Sequence, residues 1–260
     1  MARTSESTGR KSITPRGYHL ARRVTKKRAP ACPPFLGNRD ITRTMATRLH
    51  APPGGWPFAE IAKASDALLA AGVTEALAKW LDLLVEWNAR VDLTAARSTD
   101  ELIDLMLADA LVLSSRVPPR ARVVDVGTGS GAPGLALALL RPDLHVTLVE
   151  PLAKRGAFLR TVVGSVERFD IELMGRTGQA LASTGERRWD VALARATFRP
   201  STWLELAAAL LDAPGSAWVF LARELAPTYG GMTEVESVEY TWPLTSARRR
   251  LVRYEGPILP

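Results

Sequence analysis

The sequence predicts an α/β protein: a mostly parallel sheet with helices on both faces, preceded by a small helical cap. Three observations predict it. Short apolar strand-like runs alternate with helix-like runs from Ala121 onward. The first strand runs into a glycine-rich turn that opens a helix, "VVDVGTGSGAPGLALALL", Val123 to Leu140. The 260 residues are 47% hydrophobic and 23% charged, a globular composition with enough length for one good core.

Charge is distributed unevenly. Residues 1–54 hold 12 Lys/Arg against 2 Asp/Glu, and the remainder holds 22 against 25. The net charge of +7 is therefore a property of the tail. That segment lacks an apolar period and is expected to be a disordered basic tail. Three readings compete for it: a nucleic-acid-binding arm, an Arg-rich targeting segment, or a stretch upstream of a true start at Met45. The third is favoured, because Pro, Arg and Ser/Thr are mixed there without pattern. The single cysteine, Cys32, fits a reducing compartment. His19, His50 and His145 are scattered, so no metal site is expected. No run of 18 apolar residues calls for a membrane span. A cytoplasmic monomer is the expectation.

Residues 55–118 read as the helical cap. "TEALAKWLDLLVEWNARV" opens at Thr74, a candidate N-cap. Leu77, Trp80, Leu81, Leu84 and Trp87 then fall on one face. Core packing is the favoured reading for both tryptophans. "TDELIDLMLADALVLSSRV" opens a second helix at Thr99. Residues 119–260 read as the sheet domain. "ARVVDVG", "LHVTLVE", "FDIELMG", "WDVALARA" and "SAWVFLAR" are its strands. "APGLALALL", "LAKRGAFLRTVVGSV" and "TWLELAAALLDA" are helices between them. "VESVEYTWPL" and "ARRRLVRYE" form an antiparallel finish.

The glycine spacing is ambiguous between cofactors. Gly129, Gly131 and Gly134 satisfy a dinucleotide pattern, while Gly127, Gly129 and Gly131 satisfy G-x-G-x-G. Two residues favour S-adenosylmethionine. Asp125 lies at the loop mouth, where it would repel a pyrophosphate but welcome a cation. Pro133 removes a helix-start N–H that a pyrophosphate would use. A local turn-stabilising role for Asp125 is compatible with this. Glu150, ending the second strand, suits a bidentate contact to ribose hydroxyls.

With these residues in place, the chain resembles the bacterial small-subunit rRNA guanine-N7 methyltransferases (RsmG, or glucose-inhibited division protein B). The likeness runs from about Leu83 to Tyr254. "LLVEWNARVDLTAARSTDEL" looks like the family's N-terminal signature, with Asn88, Leu93 and Thr94 in place. "VVDVGTGSGAPGLALALLRPDLHVTLVEPLAKRGAFLR" is similar to its cofactor segment almost end to end, and "WDVALARA" and "ARRRLVRYE" resemble later strands. The resemblance implies a class I S-adenosylmethionine-dependent methyltransferase with a Rossmann-like seven-stranded sheet, acting on 16S rRNA in the small ribosomal subunit. It implies cofactor contacts at Gly127, Thr128, Gly129, Gly131 and Ala132. It adds Thr177 and Gly178 through backbone groups, and Arg195 after the fourth strand.

Arg195 is the candidate catalytic residue, able to meet a phosphate or the O6/N7 edge of guanine, or else to pair with Asp125 or Asp109. Asp109, Phe198, Lys154 and Arg155 are the candidate substrate contacts. Phe198 would stack on a base or tuck into the core. Arg116, Arg120, Arg122, Arg160 and the trio Arg248–Arg250 would meet RNA phosphates or form a solvated face. Guanine N7 has a free lone pair and no proton to lose, which suits a site without a histidine base. The departures from the family pattern are Leu105 and Met106 at a usual Arg-His pair, Asp92, Gly178, and Glu224 at a usual glycine. Leu105, Met106 and Glu224 together are expected to weaken RNA binding. The alternatives are a methyltransferase of small molecules or proteins, or a relative without turnover. An NAD-dependent oxidoreductase fits the glycines but not Asp125 or Pro133.

Overall fold

The structure is a computed structural model that describes residues 49–64 and 69–256. Most of the basic segment 1–54 therefore lies outside the described residues.

Helix α1 spans Phe58–Ala64, and α2 spans Ala71–Asn88. The latter begins a turn before the expected cap. Thr74 lies inside it, and its hydroxyl donates back to the Ala71 carbonyl at 2.8 Å. The next helix is a composite of α3 (Thr99–Ile103), a π-helical turn (Asp104–Ala108) and α4 (Asp109–Ser114). Its N-cap is Ser98, whose hydroxyl accepts from the Glu101 N–H, while the Glu101 carboxylate accepts from the Arg97 N–H.

The strands are β1 (Arg122–Val126), β2 (His145–Val149), β3 (Glu172–Met174), β4 (Trp189–Ala194), β5 (Leu211–Leu221), β6 (Thr233–Thr241) and β7 (Arg248–Glu255). Between them run α5 (Gly134–Leu140), α6 (Ala153–Ser165), α7 (Gly178–Ala182) and α8 (Pro200–Leu210). The sheet order is β3-β2-β1-β4-β5-β7-β6. Strands β1 to β5 pair in parallel, and β7 inserts antiparallel between β5 and β6. This matches the fold class read from the sequence. Strand β5 starts at Leu211, earlier than expected, and α7 went unanticipated.

Helices cover both faces. One core layer joins α2, α4, α5 and α6 to the sheet through Trp80, Leu84, Leu113, Leu135 and Phe158, all fully buried. The other holds Trp203, Leu204 and Leu210 of α8 against Val124, Ala192 and Val252. Cap and sheet share the first layer, so no break in packing separates residues 55–118 from the rest. Trp80 is core, as expected. Its indole N–H also donates to the Ser130 carbonyl at 3.0 Å, which pins the cap to the glycine-rich loop.

Among the described residues, no helix is long and apolar enough to cross a membrane. Nor does any group of three or more His, Cys, Asp or Glu side chains there form a metal-holding cluster.

Candidate active site

The strand order reverses between β1 and β4, and a parallel sheet opens a crevice outside its carboxyl edge at that point. The loop after β1 and the loop after β4 border it. The glycine loop is tied to the end of β2: the N–H groups of Gly127 and Thr128 donate to the Val149 carbonyl at 2.8 and 3.2 Å.

Asp125 is completely buried beneath the loop. Its Oδ2 accepts from the Thr128 hydroxyl at 2.7 Å and from the Gly134 N–H at 2.8 Å, which closes the turn into α5. The turn-stabilising role is thus present. Gly134 admits no side chain, since a Cβ there would lie 2.5 Å from the Asp125 Cβ. The other carboxylate oxygen, Oδ1, is buried without a hydrogen-bond partner among the described residues. Burial pushes the Asp125 carboxyl up to about 6, against the pull of its two donors.

Glu150 is also buried. Its Oε2 accepts from the Gly129 N–H and its Oε1 from the Leu152 N–H, both at 2.9 Å. Gly129 has φ +62°, a left-handed conformation that glycine takes without strain, and the space where a Cβ would stand is open. An acid thus supports the loop from below while the backbone above it stays bare. Gly131 and Ala132 turn inward instead: a Cβ on Gly131 would meet Leu135 at 2.8 Å, and Ala132 is buried.

Arg195 emerges from β4 and is 15% exposed. One nitrogen, Nη1, donates to the Asp109 carboxylate at 2.9 Å and to the Leu105 carbonyl at 2.5 Å. That carbonyl lies in the π turn, where the regular helical ladder is interrupted. Asp109 is 3% exposed and fully engaged. Its other oxygen accepts from the Tyr240 hydroxyl at 2.6 Å and the Trp242 indole N–H at 2.8 Å. Burial and the neighbouring carboxylate hold Tyr240 far above the usual phenol range, so it stays a donor. Of the two ion pairs anticipated for Arg195, the one with Asp109 forms. Asp109 therefore holds Arg195 in place, with both of its oxygens engaged by protein donors.

The remaining candidates separate. Thr197 folds over Gly127 and donates to its carbonyl at 3.2 Å. Phe198 is half-buried and stacks on Trp203 with ring centroids 6.0 Å apart, close to the tucked alternative. Thr177 caps α7 by accepting from the Ala180 N–H. Gly178 is buried against Val126, near Phe198. Arg155 donates to the Asp92 carbonyl at 3.3 Å, which ties α6 to the loop after α2, while Lys154 is exposed. That loop is organised by Asn88, whose Oδ1 accepts from the N–H groups of Leu93 and Thr94.

Sequence reasoning missed Tyr240, Trp242, Thr197 and the buried Asp104. The last caps the turn between β6 and β7 by accepting from the N–H groups of Leu244 and Thr245 and from the Thr245 hydroxyl. These partners lie up to 141 residues from the groups they serve, and no local pattern announces them.

A bare glycine turn on a seven-stranded sheet of this order, with one acid beneath it and a second after the next strand, defines a class I S-adenosylmethionine-dependent methyltransferase. The chain belongs to the rRNA small subunit methyltransferase G family, whose family model matches residues 73–228. It is 33% identical over 189 residues to Ribosomal RNA small subunit methyltransferase G of Anaeromyxobacter dehalogenans (strain 2CP-C), covering 69% of this chain and 86% of that protein. It is 32% identical over 183 residues to the protein of the same name from Chromobacterium violaceum, covering 69% and 87%. Among solved structures, the N-methyltransferase NodS from Bradyrhizobium japonicum WM9 is similar at 17% identity and a TM-score of 0.44, over 58% of this chain and 93% of that one.

The residues fit the cofactor. A buried carboxylate oxygen without a partner suits an ammonium group, and the open backbone at Gly129 suits close approach of a ligand.

Proposed function

We propose that this chain methylates N7 of a guanine in 16S rRNA of the small ribosomal subunit. The observation that carries the reading is Arg195, fixed at the switch-point crevice by Asp109 and the Leu105 carbonyl, on a chain of this family. S-adenosylmethionine supplies a methyl group on a positively charged sulfur. Asp125 Oδ1 would face the ammonium end, and Glu150 would accept from the ribose hydroxyls alongside Gly129. Thr177 and Gly178 would contribute backbone groups at the adenine side.

An in-line methyl transfer needs alignment more than proton movement. Guanine N7 attacks with its own lone pair, so no side chain has to remove a proton. His145 fits this, because it opens β2 at the amino edge of the sheet, away from the crevice. Arg195 keeps donors beyond the two bonds of Nη1, and one of them can donate to guanine O6 while the N7 lone pair stays free to attack. Its role is to orient the base. Phe198, at the crevice rim, would contribute apolar surface.

The test supplies tritiated S-adenosylmethionine with small ribosomal subunits from a strain lacking its own enzyme. Total protein and a small-molecule extract serve as parallel acceptors. Label in 16S rRNA that maps to a single N7-methylguanine is the expected result. Label confined to protein or small molecules would overturn the reading.

A further inference from the structure

Four arginines at the carboxyl edge are left over from this site. Arg223 follows β5, and Arg248, Arg249 and Arg250 open β7, whose Arg250 stands opposite Leu221 at the end of β5. They line a groove of about 450 Å³ whose wall includes Tyr240. Among the described residues, none of the four has an ion-pair partner. Arg116, Arg122, Arg141, Arg188 and Arg253 each do, whereas Arg120 and Arg187, also without one, lie near the amino edge.

Two carboxylates share the groove and leave the cations in excess. Glu239 stands across from Arg250 in the β6–β7 register. Glu224 is already engaged: it accepts from the N–H groups of Ala222 and Arg223 at 2.8 and 3.0 Å. These and its own N–H hold it below the usual carboxylate range.

The groove adjoins the reaction centre. Tyr240 reaches inward to Asp109, and Asp109 holds Arg195, so two hydrogen bonds span from groove wall to crevice. Arg249 lies 3.8 Å from the centre of the Trp242 ring, on the indole that donates to the same Asp109. Arg120 and Arg122, by contrast, lie at the opposite edge, beside the start of β1, where Arg122 is consumed by Asp190 and Asp212. Beyond residue 54 the chain carries 22 basic and 25 acidic residues, so no uniform field draws in RNA and a local patch has to.

We propose that this groove is the docking track for the phosphates of the RNA strand flanking the methylated base. Arg223 and Arg248 make the outer contacts, and Arg249 and Arg250 the inner ones. Guanidinium forks match phosphate oxygens in pairs, which favours a phosphate chain over a dispersed acidic surface. Leu225 at the rim is 87% exposed and offers apolar surface to an unstacked base. The proposal rests on the rRNA reading above and adds the surface that holds the strand.

The test uses the full chain with Arg223→Ala and Arg248→Ala together. Neither side chain makes a hydrogen bond among the described residues, so melting and S-adenosylmethionine affinity should be unchanged. The control is Arg120→Ala with Arg187→Ala, exposed near the amino edge. Binding of 16S rRNA is measured across a salt series, and KM on small subunits alongside. The first pair should lower the slope of log affinity against log salt by about 1.4, at roughly 0.7 per single-strand phosphate contact. It should also raise KM by roughly tenfold at moderate salt, while the control does neither. Equal behaviour of the two pairs overturns the proposal. So does a KM rise on subunits with naked rRNA binding unaffected, which would assign the groove to a protein surface. If the slope difference holds but the wild-type chain transfers no methyl group to RNA, the rRNA reading fails and the docking track stands.

Discussion

Replacing Asp125 by Asn tests whether the buried acid serves the cofactor or only the turn. Its carboxyl sits at about 6 in the folded protein, against an ordinary value of 3.8, because burial disfavours the charge. A folded-state value above the unfolded one means that the folded chain holds the proton more tightly. The associated stability is complete below the unfolded value and is lost as pH rises through about 6. At neutral pH the ionised form costs about 3 kcal/mol. Asn stays neutral and keeps an acceptor for Thr128 and Gly134, although a weaker one. A net gain of about 1–2 kcal/mol at pH 7 should remain, each kcal/mol being worth about 2–4 °C in melting temperature for a chain of this size. Little of the gain should persist at pH 4.5. Cofactor affinity should move the opposite way. An ammonium beside Oδ1 favours the ionised acid, so wild-type affinity for S-adenosylmethionine should decline as pH falls below about 6. The variant should bind at least tenfold more weakly at pH 7.5, with no pH dependence from this group. Calorimetry from pH 5 to 8, with circular dichroism to verify folding, reads both effects. If wild type and variant bind equally across that range, Asp125 belongs to the turn alone.

Other expectations concern Asp109 and Gly178. Asp109→Asn removes the carboxylate opposite a largely buried guanidinium and should cost about 3–5 kcal/mol of stability. Tyr240→Phe removes one of three donors to the same carboxylate and should cost only about 1–2 kcal/mol. The latter should lower kcat on ribosomal subunits with cofactor affinity unchanged, and an unaltered kcat would remove Tyr240 from the positioning of Arg195. Gly178→Ala places a Cβ 2.6 Å from Val126 Cγ1 and 2.8 Å from Leu206 Cδ2. Overpacking of that kind costs about 1–3 kcal/mol, read as a lowered melting temperature. An unchanged melt would show that α7 shifts freely.

The sheet, its two covered faces and the glycine turn were legible because each rests on a local signal. Strand and helix periods, a turn between them and an acid after the next strand are all contained within short windows. What local signals could not reveal is the partner of each buried polar group. Asp109 stood out in the sequence, but Tyr240 and Trp242 lie more than 130 residues away on an ordinary alternating strand. The departures from the family pattern show the same limit. Met106 stands where the family pattern has one of its Arg-His pair. It is 2% exposed, and its sulfur accepts from the Ser130 hydroxyl at 3.6 Å beneath the glycine loop. Its substitution therefore bears on how the cofactor loop is held. Leu105 serves through its carbonyl, a group that its side chain's identity does not alter. Glu224 adds a negative charge that backbone N–H groups help keep ionised, but it sits in a groove with four guanidiniums and one other carboxylate. The identity of the side chain alone does not fix what any of the three does. Each effect depends on depth, direction and neighbours, which only the packed chain supplies. Met106 and Leu105 thus act on the glycine loop and on Arg195, and only Glu224 places its charge at the carboxyl edge, among four guanidiniums.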